Sequence, residues 1–360
     1  MADWEAPGTF DPSPPTTRAR LRADTLVFGR LWLTDPAGRR LPDLASAVPR
    51  PSRGAIVVTL RRRLLWSDGT PLTAADVVRS CAAQCAGVTA VAVGRDKVRF
   101  ATADLRRLDL LFITPARPTG QLASGPFMLT AASTTELRFV RNPHYHGPRP
   151  LLAEIDEVRT PSHDAMVFAA IAGEFDYLPH LGPADLSGAF GPLRPEITTS
   201  SRVEALVPHD LDVREAAALS LAASRPDLSA AAFAGRAAPV GGPESLSLAR
   251  WLLAGRHVEV TLRTLCDDPV RDQEAATLAM RWGALGVSVR RVCDRLAELL
   301  TPAAGPSLAL YADEGQALPP NAIPLLRWPE ARAVSPHLHG LVPNDTSATD
   351  LWNVEQWWLS

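Results

Sequence analysis

Val57 to Val78 reads VVTLRRRLLWSDGTPLTAADVV, and three local signals follow one another within it. The alternating apolar run through Val58 and Leu60 predicts a strand. Ser67-Asp68-Gly69 predicts a tight turn, because Asp accepts from nearby backbone N–H groups and Gly tolerates positive φ. Pro71 stiffens the exit. Thr73 is then a helix N-cap, and Asp76 three residues later supplies a capping-box partner and a favourable charge at the helix start. Val77, Cys81 and Cys85 recur every four residues, which puts one apolar helical face toward a core.

The rest of the chain bounds what such a unit belongs to. At 360 residues it has room for two domains or one large two-part fold. A hydrophobic content of 46% with 21% charged residues describes a folded globular chain. A formal net charge of −2 argues against nucleic-acid binding, which draws on a basic surface. No apolar run approaches the roughly 20 residues that a membrane-spanning helix needs. The N-terminal MADWEAPGTFDPSPP has neither the basic start nor the apolar centre of a signal peptide, and no lipobox-like cysteine is near it. As it stands, the sequence predicts a cytoplasmic protein. An extracellular or periplasmic one would need an export segment outside this chain.

Of the four cysteines, Cys81 and Cys85 lie one helical turn apart, a poor geometry for a mutual disulfide, and are expected to pack as small apolar groups. Cys266 and Cys293 each follow a predicted strand and could be neighbours. No metal-ligand cluster accompanies the cysteines, and no cofactor is expected.

Farther along, Arg22–Trp32 is expected to be helical. SGPFML (Ser124–Leu129), LRFVRNPHYHG (Leu137–Gly147) and IDEVR (Ile155–Arg159) read as strands and turns, with surface histidines at 144 and 146. HDAMVFAAIAGEFDYL begins as a helix. Val213–Pro243 is an Ala-rich helix pair closed by Gly and Pro. His257–Leu265, a helix over about Asp272–Leu285 and Val287–Val292 predict a βαβ unit with parallel strands. Its first turn lacks the glycines of a nucleotide site. SLALY (Ser307–Tyr311) is a further strand. Trp352, Trp357 and Trp358 are expected to anchor the C-terminal segment.

The wording of these segments, taken in order, resembles the family 5 solute-binding proteins, the oligopeptide, dipeptide and nickel-type binding components of ABC importers. EAPGTFDP (Glu5–Pro12), TDPAGRRLPDLA (Thr34–Ala45), WSDGTPLTAADV, SGPF followed by RNPHY, and GEFD (Gly173–Asp176) carry the resemblance from Glu5 to Trp358. It implies an α/β, bilobal periplasmic-binding-protein-like fold (type II, cluster C-like) that closes on its ligand. Lobe one is placed at 1–207 with 306–360 returning to it, and lobe two at 208–305. The second lobe is expected to be reduced, since only DRLAELLTPAAG separates Cys293 from Pro306.

The function implied is binding of a peptide or peptide-like solute in the cleft between two lobes, by a monomer working with an ABC permease. By resemblance Trp4, Glu5, Ser124 and Gly125 approach the ligand. Asp313 and Glu314, just after SLALY, are candidate acids for a ligand amine. The alternative is a degenerate binding fold reused in the cytoplasm as a sensor, interaction or biosynthesis-accessory protein. Catalysis is not expected: GxSxG, HExxH and P-loop patterns are absent from the sequence.

Overall fold

The computed structural model describes residues 1–3, 18–52, 54–85, 87–116, 122–179, 181, 190–265, 269–294, 299, 304–312, 318–344 and 349–360. The chain divides into two compact units. The first comprises Met1–His180, Ala189–Glu196 and Arg332–Ser360, and the second Leu181–Gly188 and Ile197–Ala331. These limits differ from 208 and 305. Strands on both sides of the expected second lobe pair into its sheet, which draws 197–207 and 306–331 into the second unit.

In the first unit, helix α1 spans Arg18–Val27. It ends earlier than the sequence suggests: Arg30 bridges to Phe112, and Trp32–Thr34 pairs as a short strand with Arg40–Pro42. The organising stretch folds as read. Ile56–Thr59 is a strand, with Val58 opposite Val98 of the central strand Lys97–Phe100 and Ala90–Ala92 on its far side. Gly69 has φ +83° and Asp68 accepts from Thr70 N–H at 2.9 Å. Helix α2 (Ala74–Gln84) opens with Thr73 N–H donating to Asp76 Oδ2 at 2.7 Å. Val77 and Cys81 enter the same core as Ile56, Val58 and Phe100. Cys81 is buried, Cys85 half-buried, and both are free thiols. Cys85 donating to Cys81 pushes the Cys81 thiol down, and the same bond together with burial pushes Cys85 up.

A second core in this unit gathers Leu26 and Val27 of α1, Phe127, Phe139, Val354 and Trp357. Burying each Leu or Phe there stabilises the unit by about 1.5–3 kcal/mol. The sheet above it runs Ala2–Asp3, Glu154–Arg159, Glu136–Arg141, Phe127–Ala132. Its first pair is parallel and the others are antiparallel. Helix α3 spans His163–Ile171, capped by Ser162. Trp357 is the C-terminal anchor, edge-on to Tyr177 at 5.2 Å. Trp352 donates its indole N–H to Val342 O. Trp358 departs from expectation, being 44% exposed.

The second unit is built on the predicted βαβ. Glu259–Leu265 and Ser288–Asp294 are parallel neighbours, and α7, the 15-residue helix Pro269–Gly283, crosses between them. Leu278 and Trp282 are fully buried, and the Trp282 indole N–H donates to Leu219 O at 3.1 Å. Ser307–Ala312 lies parallel to Glu259–Leu265 on its other side and antiparallel to the long strand Arg194–His209, which in turn neighbours Ile323–Val334. Helices α4 (Val213–Leu221), α5 (Arg225–Phe233) and α6 (Leu246–Leu253) complete the core. The connection expected to be short thus joins strands flanking Glu259–Leu265. Cys293 is disulfide-bonded, and Cys266 lies outside the described residues.

A bond of this kind adds about 2–4 kcal/mol in the oxidised protein. Cys293→Ser is expected to lower the unfolding free energy by that amount under oxidising conditions. In excess dithiothreitol, wild type and variant should unfold at the same denaturant concentration.

Candidate functional site

Of the six residues singled out for the ligand, Trp4, Glu5, Asp313 and Glu314 lie outside the described residues. Ser124 and Gly125 lie at the end of α1, where the chain turns into the strand Phe127–Ala132. Both of their N–H groups donate to Val27 O, at 3.0 and 2.8 Å. The Ser124 hydroxyl accepts from Gly29 N–H at 2.9 Å and donates to Ile113 O at 3.0 Å. Asn142, from the RNP sequence, donates its side-chain amide to Gly125 O at 2.9 Å, and its backbone N–H donates to Pro126 O. Ser124 is 2% exposed, so its one proton and its acceptor are both committed to main chain. SGPF and RNP are therefore two halves of one internal knot. In this structure the Ser124 hydroxyl is buried and bonds main chain on both sides, which ties the end of α1 to the segment that follows Ile113.

The two histidines beyond RNP were expected at the surface. His144 packs over Gly69 of the WSDG turn. His146 instead meets Asp43, Nε2 to Oδ1 at 2.8 Å, with side chains 11% and 6% exposed. Asp43 also accepts from Arg30 N–H at 2.8 Å, which orients it. Tyr145 meets the His146 ring edge-on at 4.7 Å. Burial, then the Asp43 and Glu355 carboxylates, push the Tyr145 hydroxyl well above its usual range. Burial likewise raises Glu355, with Asp43 adding to the effect. Among the described residues no serine, threonine or cysteine is bonded to the His146 ring. The group joins TDPAGRRLPD to RNPHYHG through the shielded contact of the His146 ring with Asp43.

The second unit holds a polar cluster for which no sequence signal was read. Glu204, fully buried, accepts from the Trp328 indole N–H at 2.7 Å and from Arg271 Nε at 3.3 Å. The Arg202 guanidinium stacks on Trp328 at 4.4 Å and meets Glu330 at 3.4 Å, and Arg271 lies 5.4 Å from the same ring. Trp328 is thus held by a carboxylate at its edge and two cations against its ring. The signal available was Arg327-Trp328 inside an otherwise apolar run. Its meaning depends on Glu204, 124 positions earlier in the chain.

No protein-family profile matches the chain, and no curated protein does. Solved structures do. The agropinic acid complex of the binding protein AgaA from A. tumefaciens R10 matches with a TM-score of 0.82 at 14% identity, over 100% of this chain and 98% of that one. The dipeptide binding protein of Pseudoalteromonas sp. SM9913 in complex with Met-Leu gives 0.78 at 14%, over 100% and 99%. The ABC transporter substrate-binding protein CtaP of Listeria monocytogenes gives 0.77 at 16%, over 99% and 98%. The mixed α/β fold of this chain is that of the bilobal periplasmic binding proteins.

Proposed function

We propose that the chain binds a peptide or peptide-like solute as the substrate-binding component of an ABC-type importer, with a permease as its protein partner. The observation that carries this reading is the end-to-end match to solute-binding folds, over 99–100% of this chain in the three structures above. One of them holds a dipeptide and one holds agropinic acid. Peptide capture relies on main-chain hydrogen bonds for affinity and on a few charges for the termini. Trp4 and Glu5 are assigned to the ligand, and Asp313 and Glu314 to its amine. Ser124 and Gly125 hold the end of α1 in place. The bond at Cys293 supports work in an oxidising compartment, where disulfides persist.

The test is thermal unfolding of the purified protein against a pool of di- to hexapeptides in metal-free buffer. A ligand that binds only the folded state adds about 2.7 kcal/mol at a hundredfold excess over Kd. One peptide class is expected to raise the Tm, and Asp313→Ala with Glu314→Ala is expected to cut that rise. A folded protein whose Tm no peptide moves would sink the proposal and favour the cytoplasmic interaction role.

A further inference from the structure

The segment Ser335-Pro336-His337-Leu338-His339-Gly340 follows the long strand Ile323–Val334. Leu338–His339 pairs antiparallel with Trp358–Leu359, His339 opposite Trp358. Leu338 points into the core at 9% exposure, whereas His337, in the turn that precedes the strand, is exposed and His339 is half-buried. Their rings converge. His337 Nδ1 lies 3.4 Å, and His339 Nε2 3.1 Å, from the same atom, Ser360 Oγ. That hydroxyl has one proton and can donate it to only one of the two rings.

The surroundings hold this arrangement. His339 stacks on Trp358 at 4.2 Å with planes 26° apart, which fixes the plane of its ring. Ser360 N–H donates to His337 O at 3.0 Å. Gly340 has φ +82°, and a Cβ there would lie 2.2 Å from Gln356 O, so the turn passes close beneath the paired segment. Asn353 donates to Gly340 O at 2.8 Å and accepts from the Trp357 indole at 3.1 Å. The other His-x-His of the chain, His144 and His146, is arranged otherwise. One of its rings is committed to Asp43 and the other lies on Gly69.

We propose that His337 and His339 form a two-imidazole chelate for a divalent transition ion of the nickel, copper or zinc type, with Ser360 Oγ beside it as an oxygen donor. Imidazole nitrogens suit these ions, and affinity rises from nickel to copper. Among the described residues no three His, Cys, Asp or Glu side chains gather as a closed site requires. The chelate is therefore an open one, leaving coordination positions for water or for donors of a bound molecule. This site uses none of the residues assigned to the peptide, and it stands whether or not a peptide binds.

Calorimetric titration of the whole chain with nickel chloride, in non-coordinating buffer at neutral pH, tests it. One saturable site is expected, accompanied by quenching of tryptophan fluorescence because Trp358 stacks on a ligand ring. His337→Ala and His339→Ala should each weaken binding at least about tenfold, since even outer-shell partners of metal ligands cost that much. His144→Ala should leave it unchanged. Absence of saturable binding, or affinity retained in either His337→Ala or His339→Ala, would overturn the assignment. Circular dichroism melts of each variant separate loss of the site from loss of the fold.

Discussion

Glu204→Ala is expected to destabilise the protein by about 3–5 kcal/mol, the effect of removing one partner from a buried ion pair. The carboxylate is fully buried and serves Arg271 Nε and the Trp328 indole together. Alanine takes the acceptor from the buried Trp328 indole N–H and one buried carboxylate from beside the Arg271 guanidinium. A unit of the second unit's size loses roughly 2–4 °C of Tm per kcal/mol, so a fall of about 10 °C should be read in a thermal melt. Glu204→Gln keeps an acceptor for Trp328 but turns an NH2 toward Arg271 in place of the second oxygen, so its fall should be smaller than that of alanine by the retained indole bond. The double change Glu204→Leu with Arg271→Met removes both charges and should recover part of the loss, the Trp328 indole N–H still lacking its acceptor. If the double variant were less stable than Glu204→Ala, the cost would lie in the packing and the indole N–H of Trp328 and not in the Arg271 charge.

The same cluster shows what the sequence could and could not convey. The WSDG turn, the capping box at Thr73 and Asp76, and the βαβ around α7 were legible because each is specified by residues within a few positions of one another. Helix α7 announced itself through Leu278 and Trp282, both fully buried. The long strands Arg194–His209 and Ile323–Val334 were not legible. Pro324 and Pro329 interrupt the second, and Arg332 within it is 1% exposed because it pairs with Asp350 at 2.8 Å. A buried Arg or Glu reads as a surface residue until its partner is known, and these partners are distant in sequence. That also displaced the unit boundaries, since both strands cross from one unit into the other. His146 was misplaced for the same reason, its partner Asp43 lying in a different motif. Trp4, Glu5, Ser124 and Gly125 rest on resemblance and Asp313 and Glu314 on their place after SLALY, and of the six the structure describes Ser124 and Gly125, both buried.

Gly125→Ala separates that internal role from a ligand contact. A Cβ at this position would lie 2.7 Å from Leu26 O, 2.9 Å from Val27 C and 3.0 Å from Phe28 N. All three are backbone atoms, so no side chain can rotate away and the end of α1 has to move. Overpacking of this kind costs about 1–3 kcal/mol, and loosening the Gly125 N–H bond to Val27 O adds about 1 kcal/mol. The expected result is a loss of about 2–4 kcal/mol of unfolding free energy. Ser124→Ala should act in the same direction, because it strands Gly29 N–H and Ile113 O inside the core. Affinity of the folded variants for a peptide that stabilises the wild type should stay within about a factor of three, less than 1 kcal/mol. A ligand contact predicts the reverse, a Tm near wild type with affinity lost. Measuring Tm and peptide affinity on the same preparations decides between them, and loss of affinity at unchanged stability would return Gly125 to the ligand.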